Sequence, residues 1–183
     1  RLNERYEFFF FFYADLAGAK EYLISIIHDI DQTMSVKFTH AFKQISEHFS
    51  EIFVKLFGGG KADLILLDPD NILETGIEIT VQPPGKKAQN LILLSGGERA
   101  LTVIALLFAV LTHKPAPFVV VDEIDAALDE ANVERFSHFL RDYAKDTQFI
   151  VVTHRKGTME AADVIHGVTI EESGVSRLVS VKL

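Results

Sequence analysis

The apolar positions between Leu16 and Leu56 follow the spacing of a long helix. They recur in steps of mostly three and four: Leu16, Ala19, Leu23, Ile27, Ile30, Met34, Phe38, Phe42, Ile45, Phe49, Ile52 and Leu56. Such steps form one stripe, which is typical of a helix packed on a partner helix. Two consecutive steps of four around Phe38 predict a local unwinding of the stripe. The partner helix is expected from another chain or from a segment outside this sequence.

A run of aromatic residues precedes the stripe. Phe8–Phe12 are five consecutive phenylalanines, and Tyr13 follows them. Five consecutive side chains cover every face of a helix, so some of them are expected to be exposed. We interpret the run as an artefact of the sequence assignment; the alternative is a patch that binds a membrane or a partner.

Short β-like runs follow the helix. Gly58–Gly60 are expected to end it, because glycine is favoured at helix C-termini. Residues 62–67 (ADLILL) and 76–82 (GIEITVQ) flank the turn-rich sequence DPDNILET and predict an antiparallel pair. Residues 83–87 (PPGKK) predict a rigid exit into a loop.

Helical and strand patterns then alternate. They predict a helix to Leu111, a strand at 118–121, a helix at 131–143 and a strand at 148–153. Strands separated by helices predict an α/β fold with a parallel sheet and covering helices. The final stretch, residues 164–183, predicts two strands joined by a Glu-Ser-Gly turn. We therefore expect a helical part, residues 1–57, and an α/β lobe, residues 58–183.

Composition narrows the class of protein. The 183 residues are 48% hydrophobic, which is enough for one core, and their formal net charge is -8. This acidity argues against a dedicated DNA-binding domain, although a local basic patch stays open. There is no cysteine, so disulfides and thiolate metal sites are excluded. The longest apolar runs are shorter than the roughly 18–20 residues of a membrane span, and no signal-peptide pattern is present. We expect a soluble cytoplasmic protein.

Gly60-Lys61 only partly matches a phosphate-binding loop. The pattern G-x-x-x-x-G-K-[ST] requires glycine at position 55 and serine or threonine at position 62, where this chain has Lys55 and Ala62. These glycines are therefore interpreted as a helix cap and turn.

The sequence Ser95-Gly96-Gly97-Glu98 precedes a long apolar run. Serine followed three positions later by glutamate is a capping box, which explains Ser95 and Glu98. It does not explain the glycines, each of which costs a helix roughly 1 kcal/mol relative to alanine. Glycine leaves the backbone bare, so that a phosphate can approach the positive end of the helix. A simple cap and an anion site both remain open.

Two acidic residues end the predicted strand at 118–121. Asp122 and Glu123 lie at the carboxyl end of that strand, where open α/β sheets bind ligands. Alternation along a strand sends successive side chains to opposite faces, so one could order a magnesium shell and the other could face an attacking water. A pair of surface acids is the alternative. The next strand ends at His154, at the same edge, which points to a phosphate partner; a structural or solvated histidine is the alternative.

These motifs together resemble those of ABC-type ATPases. LSGGE, a strand with DE, then ALD, then a strand ending in histidine correspond in order to the signature motif, Walker B, the D-loop and the switch histidine. From about Ile26 onward the chain is most similar to the C-terminal head segment of bacterial SMC (structural maintenance of chromosomes) proteins, whereas Phe8–Phe12 depart from it. The resemblance implies the C-terminal lobe of an ABC-type head, with a parallel-rich sheet, flanking helices and a small antiparallel part, preceded by a coiled-coil stub.

The resemblance also implies roles around ATP. Two heads would sandwich two ATP molecules, with Walker A supplied by an N-terminal head segment of the same protein. Asp122 would help to hold Mg²⁺, and Glu123 would be the general base. The signature residues would contact the γ-phosphate bound on the opposite head: Ser95, Gly96 and Gly97, with Glu98 in the same motif. Asp129 would work across the head interface, and His154 would sense the γ-phosphate.

The implied function is ATP-driven chromosome condensation and segregation by a nucleoid-associated, condensin-type complex. Its implied partners are the N-terminal head segment, a second SMC head, the winged-helix part of a kleisin subunit, and DNA. Lys86-Lys87 could face DNA or be merely solvated. Without Walker A the isolated chain is expected to be inactive. The alternatives are a head segment of a DNA-repair ABC ATPase, a transporter domain, or a non-catalytic platform for kleisin docking.

Overall fold

The computed structural model describes residues 2–170 and 174–182, with side chains from residue 5 onward. The α/β class expected from the sequence is confirmed. The elements are α1 Leu2–Phe57, β1 Lys61–Leu66, β2 Ile77–Gln82, β3 Gln89–Asn90, a 3-10 helix Leu91–Leu93, α2 Gly96–His113, β4 Phe118–Asp122, α3 Glu130–Tyr143, β5 Gln148–Val152, α4 Lys156–Met159, β6 Val164–Ile170 and β7 Ser176–Lys182.

The chain divides into two compact units. The first contains α1 up to Lys43 together with the segment Leu66–Gly76. Its apolar helix stripe is exposed by half or more at Leu16, Leu23, Ile27, Ile30 and Met34. The predicted helix therefore lacks a partner helix in the described residues of this unit. Helix α1 also includes Phe8–Phe12, which are 52–77% exposed, as five consecutive aromatic residues on a helix require.

The second unit contains Gln44–Ile65 and the described residues from Ile77 onward. The end of α1 belongs to its core, where Phe49, Phe53 and Leu56 are fully buried. The predicted glycine cap is confirmed: Gly58 has φ 70°, and the Gly59 amide donates to the Val54 carbonyl at 3.0 Å.

Three short strands form a small sheet in the order β1-β2-β3. The predicted neighbours β1 and β2 are adjacent, and β2 pairs antiparallel with β3. The antiparallel direction of the β1–β2 pair stays a prediction. Strand β3 and the 3-10 helix were not predicted from the sequence. Asn90 caps that helix, because its side-chain oxygen accepts from the Ile92 amide at 3.2 Å.

Strands β4 and β5 form the predicted parallel pair, in a register that runs from Phe118–Gln148 to Asp122–Val152. One face packs toward α2 and α3, where Phe108 is fully buried and its ring lies 5.7 Å from that of Phe149. The other face is exposed by about half at four apolar residues: Phe118, Val120, Ile150 and Val152. The expectation of covering helices therefore holds for only one face among the described residues.

Strands β6 and β7 form a separate antiparallel pair of seven residue pairs, as predicted. Most of its apolar side chains are exposed, including Val168 at 71% and Ile170 at 74%. Gly174, in the connection, has φ 74°. Two residues of the predicted Glu-Ser-Gly turn, Glu172 and Ser173, lie outside the described residues.

Helix α2 qualifies the expectation that no segment could span a membrane. By length and composition alone, its 18 residues are long and apolar enough to cross a membrane. However, six of its residues are buried in the unit: Leu101, Thr102, Ile104, Ala105, Phe108 and Ala109. Among these, Leu101, Ala105 and Phe108 are fully buried, so one face of α2 packs in the core of the unit.

Candidate functional site

Helix α2 begins with the capping box that the sequence predicts. Ser95 is its N-cap, and the Ser95 Oγ accepts from the Glu98 amide at 3.4 Å. In return the Ser95 amide donates to Glu98 Oε2 at 3.2 Å. The Ser95 hydroxyl also donates to the same carboxylate oxygen at 2.8 Å. The carboxylate of Glu98 therefore fixes both the backbone and the side chain of Ser95.

Lys86 holds Glu98 from the preceding loop. Its Nζ lies 2.9 Å from Oε1 and 3.0 Å from Oε2 of that carboxylate. Burial acts to raise the pKa of Glu98, but hydrogen bonds from Lys86 and Ser95 outweigh it and lower the pKa below its usual value. Lys86 is thus engaged with the α2 N-terminus, which weakens the suggestion that it faces DNA.

The two glycines of the motif differ in what surrounds them. A Cβ added at Gly97 would lie 3.2 Å from Asn132 Nδ2 and 3.5 Å from Asp129 Oδ2, so close packing accounts for this glycine. A Cβ at Gly96 would meet nothing within 4 Å. Neither glycine has a positive φ. Neither packing within this chain nor the capping box therefore explains Gly96, and the anion site stays a prediction.

Glu123 follows β4 in an unusual backbone conformation. It has φ 47°, and in the described part of the chain it is the only residue other than glycine with a positive φ. Its amide donates to the Val152 carbonyl of β5 at 2.8 Å. Strand alternation, which would send Asp122 and Glu123 to opposite faces, does not apply to this pair, because β4 ends at Asp122 and Glu123 has left the strand. A left-handed residue of this kind costs of order 1–3 kcal/mol and is typical of functional sites.

His154 lies beside Glu123. Its Nδ1 is 3.7 Å from Glu123 Oε1, and both side chains are about 60% exposed. The distance exceeds that of a hydrogen bond but is short enough for an electrostatic interaction. The parallel register that pairs Asp122 with Val152 brings the ends of β4 and β5 together and so positions this pair. The structure therefore brings together the two residues with predicted reactive roles.

Asp129 has a structural contact in this chain. It is the N-cap of α3, and its Oδ1 accepts from the Asn132 amide at 2.9 Å. Its side chain is otherwise exposed, and its other oxygen borders Gly97. Asp129, from the predicted D-loop, and Gly97, from the predicted signature motif, are therefore neighbours within one chain.

Sequence reasoning missed a buried polar cluster behind these residues. Asp125 is fully buried, and its Oδ2 accepts hydrogen bonds from Thr153 and Thr158. Arg155 donates to two backbone carbonyls of the same turn. Asp125 lies two residues after Glu123, and this closeness to the predicted site is the only indication of its role that the sequence gives. Nothing local predicts its threonine partners about 30 residues away.

Asp122 fits a limited role toward Mg²⁺. Among the side chains of residues 5–170 and 174–182, no group of three or more His, Asp or Glu could hold a metal ion. Proteins usually bind Mg²⁺ through one or two carboxylates, with water and substrate phosphates as the other ligands. Asp122 is an exposed carboxylate at the end of β4, so it can supply one such ligand.

The chain matches the family described as RecF/RecN/SMC N terminal domain over residues 19–177. It is 58% identical over all 183 residues to the chromosome partition protein Smc of Bacillus subtilis (strain 168) and covers 15% of that protein. The chain therefore spans about one seventh of the length of that relative.

Solved structures share the fold. One is the Smc head domain of Pyrococcus furiosus with an extended coiled coil, bound to the C-terminal domain of ScpA. It has a TM-score of 0.76 and 45% identity, over 89% of this chain and 41% of that chain. A second comes from work on ATP-driven dimerization and DNA-stimulated activation of SMC ATPases. It also has a TM-score of 0.76 and 45% identity, over 81% of this chain and 89% of that chain.

Proposed function

The chain belongs to the RecF/RecN/SMC N terminal domain family as a segment of an SMC ATPase head, and we propose that it is the C-terminal part of that head. In this proposal residues 1–57 form the base of a coiled-coil arm and residues 58–183 form the lobe. The lobe supplies the signature motif, Walker B, the D-loop and the switch histidine for ATP-dependent head dimerisation in chromosome partition. The observation that carries the proposal is the pairing of Glu123 with His154 at the end of the parallel strands.

Glu123 has the placement of a general base. Its carboxylate is exposed at a sheet edge where α/β proteins bind ligands, so it can accept a proton from a water that attacks the γ-phosphate of ATP. His154, 3.7 Å away, would orient Glu123 and contact the same phosphate. Asp122 would supply one ligand to Mg²⁺, which neutralises phosphate charge when bound.

The start of α2 would bind the nucleotide of a second head. Ser95 and the amides of Gly96 and Gly97 lie at the positive end of an 18-residue helix. Gly96 leaves open space where any side chain would begin. Glu98 would act indirectly by fixing Ser95, and Asp129, beside Gly97, would contact the opposing head.

An N-terminal head segment would complete the lobe. A parallel sheet is normally covered on both faces, yet the face with Phe118, Val120, Ile150 and Val152 is about half exposed. The chain also lacks a phosphate-binding loop, since Lys55 and Ala62 occupy two of its required positions. A segment that carries Walker A would cover this face and bring the missing ATP contacts.

The remaining partners are a kleisin subunit and DNA. The similar head of Pyrococcus furiosus is bound to the C-terminal domain of ScpA, which supports a kleisin partner here. Strands β6 and β7 have exposed apolar side chains that suit such a partner, for example Val168 and Leu178. In this proposal the protein works at the nucleoid in the cytoplasm. The 58% identity to a chromosome partition protein favours this function over a DNA-repair ATPase.

The variant Glu123→Gln tests the proposed function. It keeps the shape of the side chain but removes its basicity, so ATP should still bind while hydrolysis falls by at least about a hundredfold. The head, assembled with its N-terminal segment, should therefore accumulate as an ATP-bound dimer, measured by light scattering after size-exclusion chromatography. Glu134→Gln is the matched control, because Glu134 is exposed on α3, away from β4 and β5, and forms an ion pair with His138 on the same helix. Unchanged turnover in Glu123→Gln would remove Glu123 from this role.

A further inference from the structure

A buried carboxylate, Asp125, lies two residues after Glu123 and accepts a hydrogen bond from the residue that precedes His154. Asp125 is 0% exposed, and its Oδ2 accepts from the Thr153 hydroxyl at 2.7 Å and from the Thr158 hydroxyl. Its Oδ1 is buried without a hydrogen-bond partner. Taking a carboxylate out of water is costly, and a fold that needed only packing here would be better served by an apolar residue. Asp125 therefore calls for an explanation beyond packing.

Arg155 makes a second connection between the same two segments. Its Nη2 donates to the Ala126 carbonyl at 2.8 Å and to the Leu128 carbonyl at 3.0 Å. Leu128 directly precedes Asp129, so the guanidinium is hydrogen-bonded to the backbone next to Asp129. The Arg155 amide in turn donates to the Thr153 hydroxyl at 3.0 Å, which links the two connections.

The two connections involve residues that adjoin the proposed reactive residues along the chain. Thr153 and Arg155 are the chain neighbours of His154, and Ala126 and Leu128 lie between Glu123 and Asp129. A displacement of Asp129 would therefore be transmitted to the backbone on both sides of His154. Packing against the helices could hold residues 125–129 and residues 153–155 in place separately, whereas these hydrogen bonds connect the two segments directly.

We propose that Asp125 and Arg155 are positioning residues that couple Asp129, at the proposed head interface, to His154 and Glu123. We call this set of contacts the Asp125–Arg155 clamp; it includes the hydroxyls of Thr153 and Thr158. Arrival of a second head at Asp129 sets the geometry of the general base through the clamp. This inference rests on the proposed function, because it presumes that Glu123 acts on ATP and that Asp129 meets a second head.

The test measures steady-state ATP hydrolysis by the full-length protein that carries this chain. Arg155→Lys keeps the charge but replaces the guanidinium, whose Nη2 reaches both carbonyls, by an ammonium on a shorter side chain. We expect kcat to fall by about tenfold to a hundredfold, since small misplacements of reacting groups have effects of this size. The KM for ATP should stay within about twofold, because no clamp residue is among those proposed to contact ATP. Arg141→Lys is the matched control: it also donates from Nη2 to a carbonyl, that of Glu160, but outside the clamp.

A double-mutant cycle separates positioning from a merely structural role. If Arg155 acts through Asp129, Arg155→Lys should reduce kcat by less than about twofold in an Asp129→Ala background. Effects that multiply independently would overturn the proposal. So would an unchanged kcat in Arg155→Lys, or a rise in KM alone.

A second pair of variants keeps the test decisive if Arg155→Lys folds poorly. Thr158→Val is nearly isosteric but removes the hydroxyl that binds Asp125, whereas Thr158→Ser retains it. We expect kcat to fall in Thr158→Val and to stay within about twofold of wild type in Thr158→Ser. Equal kcat values in the two variants would overturn the proposal.

Two further measurements distinguish failure of this inference from failure of the proposed function. Wild-type protein and Glu123→Gln are assayed beside the clamp variants. An inactive wild type, or an unaffected Glu123→Gln, would overturn the proposed function and the clamp with it. If the wild type is active and Glu123→Gln is impaired, but the effects of Arg155→Lys and Asp129→Ala on kcat multiply independently, only the clamp is overturned.

Discussion

Replacing Gly96 by alanine should separate the stability of the lobe from its function. Gly96 is the first residue of α2, has no positive φ and has open space where a Cβ would begin. Alanine is favoured over glycine in a helix by up to about 1 kcal/mol, and nothing in the chain opposes it here. Gly96→Ala should therefore stabilise the lobe. For a domain of this size, this gain corresponds to a rise in Tm of up to about 2–4 °C.

The same methyl group should damage head engagement. If a phosphate of the opposing head approaches the bare backbone at Gly96, a Cβ there would block that close approach. We therefore expect ATP-dependent dimerisation to weaken by at least about tenfold while the Tm rises. Both quantities are measured on the assembled head, the Tm by calorimetry and dimerisation by light scattering across a protein concentration series.

Gly18→Ala is the control for helix stabilisation alone. Gly18 lies within α1, and a Cβ there would also meet nothing within 4 Å. This variant should gain similar stability and dimerise normally. Two results for Gly96→Ala would refute the reasoning. A lower Tm would mean that the glycine has a structural role, and a higher Tm with normal dimerisation would mean that no phosphate approaches it.

Two further predictions concern stability and assembly. Lys86→Met should destabilise the lobe at neutral pH by no more than about 1 kcal/mol, because Lys86 is half exposed, whereas the exposed Lys87→Met should have no effect. Because the pKa of Glu98 is lowered in the fold, this contribution is present above its unfolded value of about 4.3. The difference in Tm between wild type and Lys86→Met should therefore vanish as the pH falls through the pKa of Glu98 in the folded state. A difference that persists in acid would contradict a stabilising ion pair between Lys86 and Glu98. Val120→Asp should weaken binding of the N-terminal head segment by at least about tenfold in calorimetric titration, and the exposed Val36→Asp should not; equal affinities would show that the β4–β5 face is not the interface.

Local patterns in the sequence predicted much of this fold. The capping box at Ser95 and Glu98 depends on residues three apart, and the β4–β5 strands depend on short apolar runs. The contact of His154 with Glu123 follows from parallel pairing, so the sequence could place both at one edge.

Contacts between distant residues and local backbone strain could not be predicted in the same way. The left-handed conformation of Glu123 has no signal in residue type, because glutamate rarely adopts it. Lys86 reaches Glu98 across 12 positions, and Thr158 reaches Asp125 across 33. These contacts depend on how the loops fold back, and neither periodicity nor motif spacing encodes that.

The most direct test of the central claim is ATP hydrolysis by this chain with and without an N-terminal head segment that carries Walker A. We expect no turnover by the chain alone, turnover in the mixture, and loss of that turnover when the mixture contains Glu123→Gln. Hydrolysis by the isolated chain would contradict the claim that it is one part of a split head. Failure of the mixture, under conditions in which both segments bind each other, would contradict the assignment of this lobe to ATP hydrolysis.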